Sequence, residues 1–139
     1  MVAIIFFLII LLCMIMSVRT LFLPDALQEK YLSWQSFIYL LFIYSTIMIG
    51  FGLVYFLFLQ NGFIVFAENE KIISGDILER LGVCIYFSGI TLFSIGYGDV
   101  VPIGIGRIIA IIEGMVGYTI PAAFVVRTVI DFRREFDGW

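Results

Sequence analysis

The chain has 139 residues, of which 63% are hydrophobic and 14% charged, and its formal net charge is −3. A soluble domain of this size could not cover so much apolar surface, so the composition places the chain among membrane proteins. The few basic residues are scattered, which argues against a nucleic-acid partner. With no histidine, the usual Ser-His and transition-metal sites are missing too, and no enzyme or cofactor is expected.

Residues 1–18 carry no charged side chain, and the apolar run reaches Leu23. This predicts an N-terminal transmembrane helix. The segment has no basic start and no small-x-small cleavage site before Arg19, so a retained helix is expected over a signal peptide. Pro24, Asp25, Glu29 and Lys30 mark a connector, and residues 1–33 are read as this helix and its loop. Residues 34–60 form a second span, because no charge falls between Lys30 and Glu68 and about 20 apolar residues cross a bilayer as a helix.

Residues 61–76 are expected as an acid-rich loop, with Ser74-Gly75-Asp76 offering a helix N-cap. Residues 77–93 follow as a short helix, whose apolar part is too short to span and reads as re-entrant. Residues 100–106, with Pro102 and two glycines, read as a turn. Residues 107–130 form the next span, with Glu113 as its one mid-span charge and Arg107 and Arg127 near its ends, and 131–139 form a short tail. Cys13 and Cys84 lie in apolar segments and read as small hydrophobes. No repeat or long linker divides residues 34–130, which are read as one domain.

Between the short helix and the last span stand Ser94, Ile95, Gly96, Tyr97, Gly98 and Asp99. A Gly-Tyr-Gly strand in this setting resembles the selectivity filter of a potassium channel, in which rings of backbone carbonyls replace the water of a dehydrated K⁺. Aligning successive carbonyls requires a backbone that alternates in handedness. Gly96 and Gly98 take left-handed positions without steric cost, and Ser94 adds a hydroxyl at the inner end of the queue.

The stretch 86–101, YFSGITLFSIGYGDVV, resembles the pore region of the prokaryotic two-transmembrane potassium channel family, with the likeness running from about residue 81 to 126. That family's filter reads Thr-Val-Gly-Tyr-Gly-Asp. Here Ser replaces Thr and Ile replaces Val, which keeps the hydroxyl and the branched side chain. The resemblance implies an all-α membrane protein: an outer helix (34–60), a re-entrant pore helix (77–93), a selectivity filter (94–99) and an inner helix (107–130), with the N-terminal helix as an addition. It implies K⁺ held mainly by the backbone carbonyls of Ser94, Ile95, Gly96 and Tyr97. It also implies a Tyr86–Asp99 contact that braces the filter and a Thr91 hydroxyl behind it. Phe93 stands where Thr is common, and is expected to crowd the packing behind the filter. Gly117, eleven residues after Gly106, matches the family's hinge glycine.

Glu113 lies mid-span, where an ionisable group is expensive and functional by default. Three readings stay open: it faces the pore helix near Thr91 or Ser88, it faces a water-filled cavity, or it is protonated and bonded locally without a role in conduction. Pro121, one turn after Gly117, predicts a kink that either opens a gate or is static.

One chain carries one pore loop, and a carbonyl cage needs four. A homotetramer of this chain with three further copies, embedded in lipid, is therefore expected. Arg19, Lys30, Arg127, Arg133 and Arg134 outnumber Lys71, Arg80 and Arg107. That bias places the 19–33 loop and the C-terminus in the cytoplasm, and the filter mouth outside the plasma membrane. The function expected is passive, selective K⁺ conduction. A weakly selective cation channel of the same fold and a non-conducting accessory subunit are the alternatives. No span carries periodic Arg or Lys, so no voltage sensor is expected and the gating stimulus stays open.

Overall fold

The computed structural model describes residues 2–21, 34–68, 71–72 and 76–136. The expected loop at 22–33 and the cap contributions of Ser74 and Gly75 fall outside these residues. Four helices dominate: α1 (Val2–Leu21), α2 (Trp34–Gln60), α3 (Ile77–Leu92) and α4 (Ile105–Phe136). Two of them, over Phe37–Gln60 and Ile105–Val126, are long and apolar enough to cross a membrane. The apolar part of α1, Val2–Ser17, is shorter.

Along α2, the buried residues Ile43, Tyr44, Ile47, Phe51, Tyr55 and Leu59 recur every three or four positions. That spacing makes one helix face. The face packs with Cys84, Phe87, Ile90 and Leu92 of α3, with Ile120 of α4, and with Val65, Phe66 and Val100 from the loops. Met14 of α1 reaches the same core from the far side of α2. Beyond α2, the Phe63 N–H bonds the Phe58 carbonyl at 3.0 Å and the Gly62 N–H bonds Leu59 at 3.2 Å. This double closure is a Schellman ending.

The 61–76 region and the segment after the filter hold more structure than their sequences suggest. Strands β1 (Phe66–Glu68), β2 (Lys71–Ile72) and β3 (Val100–Pro102) form an antiparallel sheet in the order β2-β1-β3. Ala67 pairs with Val101, and Glu68 with Val100. Residues 100–102, expected as part of a turn, are thus an edge strand. Pro102 is tolerated there because an edge position need not donate to the ladder. The sheet ties the chain after residue 99 to the chain leaving α2. The Ile103 N–H on the Val65 carbonyl at 2.8 Å extends the tie.

α3 begins at Asp76, whose Oδ1 accepts the Ile77 N–H at 2.8 Å. It ends at Leu92, with Phe93 as its C-cap. α4 starts two residues before the expected inner helix and passes without a break through Ile130 to Phe136, so the expected tail continues the helix over residues 131–136.

Candidate functional site

The strand between α3 and α4 has a two-residue rhythm in its backbone. Ser94, Gly96 and Gly98 have positive φ angles of 55°, 61° and 81°. A left-handed position costs an L-residue roughly 1–2 kcal/mol and costs glycine almost nothing. The two glycines therefore stand where the chain needs them, and Ser94 extends the same alternation one step inward. The pore-helix end sets the strand's direction. The N–H groups of Ile95 and Gly96 both turn back onto the Ile90 carbonyl, at 2.8 and 3.2 Å. The Ser94 N–H bonds the Thr91 carbonyl at 3.0 Å.

At the far end of the strand, Tyr86 Oη donates to Asp99 Oδ2 at 2.7 Å. This bond, helped by the N–H groups of Asp99 and Val100, holds the Asp99 carboxyl below its ordinary range. The strand is thus fixed at both ends to α3, by backbone at Ile90 and Thr91 and by side chain at Tyr86.

Glu113 of α4 is completely buried. Tyr55 Oη of α2 donates to its Oε2 at 2.8 Å. Its Oε1 meets Ser88 Oγ of α3, and Ser88 Oγ donates to the Met48 carbonyl of α2 at 2.8 Å. One carboxyl group therefore joins α2, α3 and α4. Around it, the ring of Tyr55 packs on Phe66 and Phe87 with centroids 4.8 and 5.3 Å apart, which keeps water away from these bonds. Of the positions open from sequence, Glu113 takes the one beside the pore helix, and its partner there is Ser88.

Nearer the start of the strand, Gly117 of α4 lies against the last turn of α3. A Cβ at this position would come within 2.1 Å of the Leu92 carbonyl oxygen. Pro121 sits inside α4 and has no N–H for the Gly117 carbonyl one turn before it. Tyr44 Oη of α2 donates to that carbonyl instead, at 2.6 Å. The ring of Tyr44 also stacks on Phe93, with centroids 5.3 Å apart and planes inclined by 19°. Phe93 is 48% exposed. It leans on the outer helix and is not packed behind the strand, contrary to the expectation for this residue.

Residues 51–134, more than half of the chain, match the family described as Ion channel. The chain belongs to this ion channel family. Protein LctB of Geobacillus stearothermophilus is 40% identical over 119 residues, which cover 86% of this channel and 89% of the relative. Protein LctB of Bacillus caldotenax is 48% identical over 89 residues, 64% of the channel and 66% of the relative. No solved structure matches.

The fold of the channel brings together Tyr86 with Asp99, and Glu113 with the pore helix. Thr91 contributes its carbonyl at the strand's start. Gly117 and Pro121 share a helical turn, but Gly117 is also a packing contact with Leu92. Sequence reading missed Tyr44 and Tyr55. Each is one aromatic among many in an apolar span, and their partners lie 73 and 58 residues away. The only signal was their place on the α2 face at helical spacing from Ile47 and Phe51.

Proposed function

We propose that this membrane channel conducts K⁺ passively and selectively through a fourfold filter built from residues 94–98 of four copies of the chain. The observation that carries the proposal is the alternation of positive φ at Ser94, Gly96 and Gly98, with the amides of Ser94, Ile95 and Gly96 turned back onto α3. That backbone leaves the carbonyls of Ser94, Ile95, Gly96 and Tyr97 free to replace a K⁺ hydration shell. The strand needs other copies, since Ile95 and Tyr97 are 51% and 73% exposed on a single chain. So does α4, whose Ile108, Ile111, Ile112, Met115 and Tyr118 are uncovered. A C4 assembly around the strand covers the first set, and neighbours with lipid cover the second.

In this reading, Tyr86 and Asp99 hold the outer end of the filter at a fixed radius. Pore helices aim their negative C-terminal ends at a central cavity and favour a cation there. The basic residues at the span ends place the filter mouth outside the cell.

The test is the reversal potential of purified protein in planar bilayers under opposed K⁺ and Na⁺ gradients. A reversal close to the K⁺ equilibrium value is expected. A reversal near zero with robust current means a weakly selective cation pore. No current together with a failure to cross-link as a tetramer overturns the channel reading in favour of an accessory subunit.

A further inference from the structure

The last turn of the pore helix, the middle of the inner helix and the outer helix meet at one side chain, Tyr44. Pro121 deprives the Gly117 carbonyl of its helical donor, and no water is present in hydrocarbon to replace it. An unmet carbonyl there costs as much as a lost hydrogen bond. The Tyr44 hydroxyl, 73 residues away in sequence, lies 2.6 Å from that oxygen. The same residue's ring is stacked on Phe93, the residue immediately before the filter strand. A cavity of about 550 Å³ opens beside this point, walled by Leu40, Tyr44, Leu92, Phe93, Gly117 and Pro121 among others. The packing of α4 on α2 is therefore incomplete beside this point.

We propose that Tyr44 is a positioning residue that couples the Gly117–Pro121 turn of the inner helix to the start of the filter. Its hydroxyl stands in for the N–H that Pro121 lacks, while its ring braces Phe93. The coupling rests on the channel reading above, but the hydrogen-bond substitution does not. When the hydroxyl leaves the Gly117 carbonyl, α4 loses this tie to α2 at the Gly117–Pro121 turn, and the brace on Phe93 is freed to shift with the ring. Tyr44 touches no permeating ion in this scheme. It acts through Gly117 and Phe93.

The test is a mutant cycle on the full-length reconstituted protein: Y44F, P121A and the double variant. Y44F keeps the ring and removes only the hydroxyl. P121A restores a backbone N–H to the Gly117 carbonyl, and P121S does the same should P121A fail to assemble. In the parent background, Y44F is expected to shift open probability by about two- to tenfold, the range of one net hydrogen bond, and to lower the thermal midpoint by roughly 2–4 °C. With alanine or serine at position 121, adding Y44F is expected to have no such effect on either measure.

Equal effects of Y44F in both backgrounds would show that the hydroxyl does not replace the missing donor, and would overturn the proposal. A midpoint cycle that behaves as expected beside an unchanged open probability would reduce Tyr44 to a structural residue and overturn the coupling. The midpoint cycle needs no ion selectivity. A failure of the channel reading appears separately, as a parent protein whose reversal potential ignores the K⁺ gradient.

Discussion

Tyr55 and Glu113 meet at 2.8 Å in the fully buried centre of the helix packing, in a set whose three contacts are all full hydrogen bonds at once only when the carboxyl group carries a proton. Ser88 Oγ owns one proton and contacts two acceptors, the Met48 carbonyl and Glu113 Oε1. If the hydroxyl donates to Met48, the bond to Glu113 needs a proton on the carboxyl group. The set Tyr55–Glu113–Ser88–Met48 is then complete, with every donor and acceptor used.

This count predicts different outcomes for three substitutions. Glu113→Gln keeps the volume, accepts from Tyr55 and donates to Ser88, so its stability in detergent is expected within about 1 kcal/mol of the parent. Glu113→Ala leaves Tyr55 without its acceptor and opens a cavity, and about 2–4 kcal/mol should be lost. Tyr55→Phe should cost less, about 0.6–1.5 kcal/mol, as single interhelical hydrogen bonds in membranes do. Denaturation midpoints of the three variants decide. A Gln variant as damaged as the Ala variant would mean that the carboxyl is ionised and the proton count wrong.

The Tyr86–Asp99 contact gives the outer end of the proposed filter a pH dependence of definite sign. The Tyr86 hydroxyl lowers the Asp99 pKa in the folded state. Such a contact stabilises fully above the ordinary aspartate pKa of about 3.9, and is lost as pH falls toward the lowered folded value. Tyr86→Phe removes the cause. At neutral pH this variant should be less stable than the parent, and the gap should shrink below about pH 4. Thermal midpoints of the assembled protein between about pH 7 and pH 3 measure it. A gap of constant size throughout would show that the tyrosine acts only by packing.

What the sequence made readable, and what it hid, follows from the range of the interactions. Gly96 and Gly98 announce a left-handed backbone by residue type alone, and both have positive φ. Ser94 takes the same conformation, but no residue preference signals it. Asp76 caps α3 through a contact one residue away, which local chemistry reveals. The sheet was hidden because β1 and β3 are three residues each and pair across the entire pore helix, so neither carries an alternation long enough to see. Phe93 was misplaced because the family comparison speaks of a threonine at that position, and the stacking partner, Tyr44, lies on another helix. Glu113 stood out as an intramembrane acid, but Tyr55 and Ser88 as its partners depend on how three helices meet.

The filter backbone yields a third prediction. A Cβ at Gly96 or Gly98 meets nothing within 4 Å on the same chain. The cost of Gly96→Ala or Gly98→Ala therefore lies in the backbone, at roughly 1–2 kcal/mol for a left-handed alanine. That is small against the stability of a folded domain, but comparable with the energies that separate one ion from another. Both variants should remain folded and assembled while their reversal potentials move from the K⁺ value toward zero. Alanine variants that retain full K⁺ selectivity would mean that the positive φ angles are not what aligns the carbonyls.

Gly117 separates a hinge from a contact. As a hinge, it would serve by flexibility, and alanine would stiffen the helix at little cost to packing. In the structure, an alanine Cβ would lie 2.1 Å from the Leu92 carbonyl oxygen, a backbone atom that cannot swing aside. Gly117→Ala must therefore push α4 off the end of α3, at the cost of about 1–3 kcal/mol typical of overpacking. Leu92 stands two residues before the filter strand, so ion selectivity should fall along with stability. Gly114→Ala is the control, since its Cβ meets nothing within 4 Å and alanine favours the helix by about 1 kcal/mol. Thermal midpoints and reversal potentials of the two variants are the measurements. If Gly117→Ala unfolds at the parent temperature, keeps its selectivity and changes only its open probability, flexibility is the reason for glycine at this position and the close approach to Leu92 is incidental.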